Sequence, residues 1–198
     1  MSQLGFDALL NEAESINRAA ALEKAYGHLP ATMDEAFPYY FGLIDRHHAA
    51  MVAGDLDTVM ALRRDAEKLA LRLNGGEHGI LAGPDAPGCM LADRTAAPDG
   101  TIPQWGQSGT FIIKTGTMRV QIDMDGLFGI GARHMTWMNF AARAVDWDKP
   151  FLSQTGYRSF MGLHAALVPG LTPDAFACEV IAAHVGKSLK GKLVAIRP

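Results

Sequence analysis

The sequence predicts an α+β fold: an N-terminal three-helix region packed on a small antiparallel sheet, with a C-terminal helix. Three observations predict it. Apolar residues recur at spacings of three and four through residues 6–73, residues 118–124 alternate apolar and polar, and Thr172-Pro173-Asp174 opens a helix near the end of the sequence. A repeat near 3.6 marks one face of an amphipathic helix, and a repeat of two marks a half-buried strand.

The first helix is expected from Phe6 to about Tyr26, with Phe6, Leu9, Leu10, Ala13, Ile16, Ala20 and Tyr26 on its apolar face; Gly27 and Pro30 stop it. The second opens near Asp34, read as the N-cap, and runs to Ala53 with Phe37, Tyr40, Phe41, Ile44 and Met51 in the core. Gly54-Asp55 turns the chain into a third helix from Leu56 to Leu73. Its stripe is Leu56, Val59, Met60, Leu62, Ala66, Leu69 and Leu73, and Arg63, Arg64, Asp65, Glu67 and Lys68 fall on its wet side. So short a connection makes helices two and three an antiparallel hairpin.

Residues 74–109 hold eight glycines and four prolines among 36 residues, yet also Ile80, Leu81, Met90, Leu91, Ile102 and Trp105. That apolar content is too high for a free linker, so the stretch is expected to be a long ordered loop over the core, with one short strand near Cys89-Met90-Leu91. A hairpin follows: Phe111–Lys114, a Thr115-Gly116 turn, and a strand to Met124 whose Met118, Val120, Ile122 and Met124 face inward. Residues 133–145 are apolar on both faces and read as a buried strand. After a loop at 146–156 and a short element near Tyr157–Leu163, Thr172 caps the last helix with Pro173 at its first position. Leu193–Ile196 is expected to close the sheet as an edge strand.

The chain is read as one domain over 1–198, divided into a helical subregion 1–73, the loop 74–109, and sheet plus C-terminal helix over 110–198. A composition 48% hydrophobic and 20% charged in 198 residues excludes disorder and allows a core that needs no disulfide or metal. The two cysteines, Cys89 and Cys178, form no C-x-x-C pair or disulfide framework. Neither a signal peptide nor an apolar run near the roughly 18 residues of a membrane span is present, so a cytoplasmic location and no membrane partner are expected. Net charge is −3, and the basic tail (Lys187, Lys190, Lys192, Arg197) lacks the aromatic or helical context of a nucleic-acid site. Nucleic acid is therefore not an expected partner.

Candidate chemistry is thin. Asp45 and His48 share a helix face but supply only half of a helical metal site, and the adjacent His47 points about 100° away. Cys89 with His78 lacks a visible cation or oxyanion donor. Gly126, Gly129 and Gly131 are in the wrong order for a dinucleotide fingerprint, and Cys178 reads as a core filler. No metal and no cofactor is expected. The one segment rich in binding groups runs from Trp147 to Phe160, placed between a strand and a short helix. Arg158, Tyr157, Ser159, Thr155 and Trp147, with His164 nearby, could hold an anionic or planar ligand: amides at a helix start and an Arg fork suit an anion, and rings stack. The alternative is that Arg158 pairs with Asp146 or Asp148 and pins the loop.

That segment, Val145-Asp146-Trp147-Asp148-Lys149-Pro150-Phe151-Leu152-Ser153-Gln154-Thr155-Gly156-Tyr157-Arg158-Ser159-Phe160, carries a resemblance. With Leu73-Asn74-Gly75-Gly76 and Gly83-Pro84-Asp85-Ala86-Pro87-Gly88-Cys89, it resembles an uncharacterised family carried on plasmids and integrative elements of proteobacteria. The similarity spans most of the chain and is most specific at Thr155–Phe160. The family has no established activity, so no site residue is carried over; the resemblance implies an accessory protein of mobile DNA. The expected function is thus a non-catalytic intracellular binding or regulatory protein acting through protein contact, with homo-oligomerisation open. The alternative is a small enzyme or ligand-binding protein for an anionic small molecule at Thr155–Phe160.

Overall fold

A computed structural model describes residues 3–197, with side chains from residue 10 onward. Five helices and four strands follow in order: α1 (Gln3–Tyr26), α2 (Met33–Ala53), α3 (Leu56–Leu73), α4 (Pro87–Arg94), β1 (Gly109–Thr115), β2 (Met118–Met124), β3 (Phe140–Ala144), β4 (Tyr157–Phe160) and α5 (Pro173–Lys187). The α+β class, three N-terminal helices and C-terminal helix are those the periodicities predict.

The cap of helix α2 lies two residues before the expected one. Thr32 is the N-cap, its Oγ1 accepting from the Glu35 amide, while Glu35 Oε2 accepts from the Ala31 amide. Asp34 instead complements the positive helix end from within the first turn. Gly54 closes α2 at φ 77°, and Asp55 caps α3 through the Thr58 amide, which makes the predicted helical hairpin. Two residues assigned to the core stripes, Phe41 and Leu56, are 44% and 41% exposed. Arg63, assigned to the wet side, is buried at 1% exposure.

Helix α1 departs most from expectation. Leu10 is 47% and Ile16 62% exposed, and Ala13 and Ala20 are exposed too; Phe6 and Leu9 have side chains outside the described residues. The helix holds to α3 near its C-terminal end, where Leu22 and Tyr26 are half-buried and Glu23 pairs with Arg72. At 100° per residue, Leu22 and Tyr26 lie roughly 150° around the helix from the mean direction of Leu10, Ala13, Ile16 and Ala20. Residues 10–21 are exposed on every side of the helix, so the stripe from Leu10 to Ala20 lies in solvent while Tyr26 is half-buried.

Residues 74–109 are ordered, but the short strand expected at Cys89–Leu91 is helix α4. Pro87 occupies its first turn, where a missing N–H costs nothing, and Leu91 is fully buried. The sheet is antiparallel throughout in the order β1-β2-β3-β4. Gly116 turns the β1–β2 hairpin at φ 56°. The strand expected over 133–145 shrinks to Phe140–Ala144, because the carbonyls of Met135 and Thr136 bind the Arg63 guanidinium instead of a neighbouring strand. Leu193–Ile196 contributes a single bridge, Val194 to Phe151, rather than an edge strand.

One sheet face is buried. Phe111, Ile113, Val120, Ile122, Phe140 and Ala142 pack with Phe176, Ala177 and Ile181 of α5, and Met51 and Val59 of the helical hairpin join the same cluster. Trp105, from the glycine-rich loop, sits edge-on to Phe176, which stacks on Trp137. A second cluster gathers Leu43, Ile44, Leu62, Leu69, Leu91 and Leu127 between α2, α3 and α4. No helix among the described residues is long and apolar enough to cross a membrane.

Candidate functional site

The segment Trp147–Phe160 does not lead into a helix: residues 157–160 are edge strand β4. There is accordingly no helix start to supply amides for an anion. Strand alternation divides the expected ligand residues between two faces. Tyr157 and Ser159 lie opposite Arg143 and Ala141 on the uncovered face; Arg158 and Phe160 lie opposite Ala142 and Phe140 on the other. Phe160 is buried, stacked on Phe140 and met edge-on by His184. Burial and the nearby Arg158 charge both push the His184 imidazole below its ordinary pKa. Arg158 makes no ion pair among the described residues: Asp146, its expected partner, is held by Arg119 and Lys149.

Some of the expected residues do meet. The Trp147 ring lies against Gly156, whose φ is +67° and where a Cβ would come within 3.0 Å of the indole; Trp147 itself remains 61% exposed. Tyr157 follows directly, with the Arg143 guanidinium 4.9 Å from its ring centroid. Thr155 and Ser153 hydroxyls bond each other and the Tyr157 carbonyl, which fixes the turn. His164 is apart from this group. It lines a recess of about 260 Å³ with Trp137, Phe176 and Val180.

The buried polar centre of the molecule was not anticipated. His47 Nδ1 donates to the Trp105 carbonyl at 2.8 Å, and His47 Nε2 accepts from Arg63 Nε at 3.0 Å. The remaining Arg63 nitrogens donate to the carbonyls of Ala132, Met135 and Thr136. Burial first, then the adjacent guanidinium, brings the His47 pKa down to about 3, so the ring is neutral with its proton on Nδ1. Burial brings Arg63 down to about 10, so it remains charged at neutral pH. Helix spacing carried the signal: His47 falls three or four residues from Leu43, Ile44, Ala50 and Met51, and Arg63 falls four from Val59 and three from Ala66. Residue type, not position, assigned Arg63 to water.

Arg63 borders a cleft of about 370 Å³ between α3 and the glycine-rich turn 126–131, with Ile80 and Leu81 of the long loop over it. A neighbouring recess of about 390 Å³ contains Cys89, Asp93, Ser108 and Asp125. Burial raises the Asp125 carboxyl above its ordinary pKa. His78 lines neither space. His48 Nδ1 accepts from the Trp105 amide, which gives it a structural partner in the loop. Among the described residues, no group of three or more His, Cys, Asp or Glu could hold a metal ion.

No family model matches the chain, and no solved structure matches it. It is similar to a protein named Protein KlcB from Escherichia coli, 31% identical over 142 residues that make up 71% of this chain and 34% of that protein. A second Protein KlcB from Escherichia coli is 35% identical over 138 residues, 69% of this chain and 28% of that protein. The chain thus spans about a third of the length of the curated relatives it matches.

Proposed function

We propose that this chain is a non-catalytic accessory protein of a plasmid-type mobile element and acts by contacting another protein. The mobile-element context comes from the resemblance that is most specific at Thr155–Phe160. The contact mode rests on one observation: α1 leaves Leu10, Ala13, Ile16 and Ala20 exposed to solvent. An amphipathic helix anchored at one end, with its apolar stripe in water, is the shape that a groove or a second helix accepts. A cytoplasmic setting follows the same reading.

The test is the pair Leu10→Glu and Ile16→Glu in the full chain. Loss of a partner co-purified from the native host, or of self-association in light scattering, is expected with an unchanged melting temperature. Retained association would refute α1 as the contact, and a large fall in melting temperature would show that the stripe is buried.

The competing reading places an anionic small molecule at Thr155–Phe160. In its favour, Arg158 has no acidic partner among the described residues. Against it, Arg158 lies on the opposite strand face from Tyr157 and Ser159, so one small ligand cannot engage all three.

A further inference from the structure

The sheet has one covered and one uncovered face, and the uncovered one is unusually ordered in its chemistry. Across it, Ile112, Gln121, Arg143 and Tyr157 form one register row, spanning three interstrand spacings of about 4.8 Å. The next row adds Lys114 opposite Arg119. Trp147 and Lys149 follow β3 at the same end, tied to the sheet because Asp146 binds both Arg119 and Lys149. The cationic side chains reach solvent, at 57% exposure for Arg119, 53% for Arg143 and 55% for Lys149, whereas their acidic partners Asp146 and Asp123 are 14% and 30% exposed. Counting Lys114 with these three cations, and the exposed Asp148 with Asp123 and Asp146, the band carries one net positive charge in a chain whose net charge is −3.

Two aromatic groups stand in this band in fixed poses. Trp147 rests one ring face on Gly156 and leaves its remaining surface open; the Arg143–Tyr157 stack supplies a second flat, cationic surface. Ile112 is the one large aliphatic side chain on the strands' uncovered face, and the exposed Trp147 and Tyr157 rings supply the rest of the band's apolar area. Cations for phosphates beside rings for bases are the two components of single-strand recognition. A duplex hides its base faces, whereas a single strand offers them for stacking.

We propose that the uncovered sheet face, through Lys114, Arg119, Arg143, Tyr157, Trp147 and Lys149, binds single-stranded nucleic acid. Bases stack on Trp147 and on the Arg143–Tyr157 pair, and the surrounding cations take the phosphates. Lys114 makes no ion pair among the described residues, and Arg119, Arg143 and Lys149 stay more than half exposed beside their carboxylates. The band is assembled from residues 114–157 by strand register and by the loop that follows β3.

The experiment is fluorescence titration of the full chain with labelled 12-mers of thymidylate and uridylate, and with a duplex of equal length. Trp105 and Trp137 are buried, so quenching of intrinsic fluorescence reports Trp147. Single strands are expected to quench and to bind at least tenfold tighter than duplex; comparing the two oligomers distinguishes DNA from RNA. Trp147→Ala and Tyr157→Ala should each weaken binding about tenfold, with Trp147→Phe close to wild type. For three phosphate contacts, affinity should fall about twentyfold between about 50 and 200 mM salt. Unchanged melting temperatures would show that the variants fold. Absent binding at low salt, equal binding of duplex, or full binding by both alanine variants would overturn the proposal. Ile16→Glu on α1 should leave these titrations unchanged.

Discussion

Arg63 Nε donates to His47 Nε2 across 3.0 Å inside the protein, so a fully buried cation leans on a neutral imidazole rather than on a carboxylate. The arrangement joins three distant parts of the chain. His47 turns its other nitrogen to the Trp105 carbonyl of the long loop, and Arg63 gathers three carbonyls from residues 132–136. Desolvation of a guanidinium is expensive, and here it is offset by hydrogen bonds to nearly every donor it has.

Stability is therefore expected to depend on pH through His47. Its folded pKa, about 3, lies below the unfolded value of 6.5. Between those values the unfolded chain binds the proton and the folded chain does not, so stability present above pH 6.5 is lost as pH falls toward 3. The slope is about 1.4 kcal/mol per pH unit, or about 2 kcal/mol between pH 7 and 5. Burial lowers His48 and His184 as well, which adds in the same direction. Urea unfolding at pH 7, 6 and 5 measures the slope. In His47→Gln it should flatten over that range, which lies above most carboxylate titration; an unchanged slope would contradict the assignment.

Replacing Arg63 with methionine should cost about 3–5 kcal/mol, because it strands the buried Ala132 carbonyl, two part-buried carbonyls and the His47 lone pair at once. Arg63→Lys should recover little, since a single ammonium cannot reproduce the planar fan of donors. Equilibrium denaturation of both variants checks this. Recovery of most of the stability by lysine would mean that charge, not geometry, is what matters.

The fold was legible where local pattern and tertiary burial agree. Strict alternation at Met118, Val120, Ile122 and Met124 located β2, and Gly54-Asp55 located the helical hairpin. Legibility failed where tertiary partners decide. Arg63 sits on the buried side of α3 because carbonyls from some seventy residues away await it, a fact absent from its neighbours in sequence. Helix α1 shows the converse: its periodicity is real, but the same pattern serves an interior contact or one that lies outside the chain. In the Trp147–Phe160 segment, the residue types were recognised while the strand that separates Arg158 from Tyr157 was read as helix.

Gly106 makes a sharp test of the packing around His47. At φ +94° it adopts backbone that L side chains rarely take, and a Cβ there would come within 2.7 Å of His47 Nδ1 and 2.8 Å of Leu127 Cδ2. Gly106→Ala should cost more than about 2 kcal/mol, through left-handed strain together with displacement of the ring. It should also disturb the His47–Trp105 bond. The His47 imidazole resonance, followed by NMR, should then titrate well above 3; a stable variant with unaltered titration would refute the close approach.

The contrast between α1 and α2 gives the last expectation. Leu43 is fully buried among Ile44, Leu62 and Leu69, so Leu43→Ala should cost about 2–5 kcal/mol as lost transfer energy plus a cavity. Leu10→Ala and Ile16→Ala remove comparable side chains from α1, yet both residues are already in water, so each should fall within about 0.5 kcal/mol of wild type. Urea midpoints at low and high protein concentration separate two cases. If the α1 variants are neutral at every concentration, the stripe is free for a different protein. If wild type alone gains stability with concentration, and the variants do not, a second copy of this chain covers the stripe, because only association makes unfolding concentration-dependent.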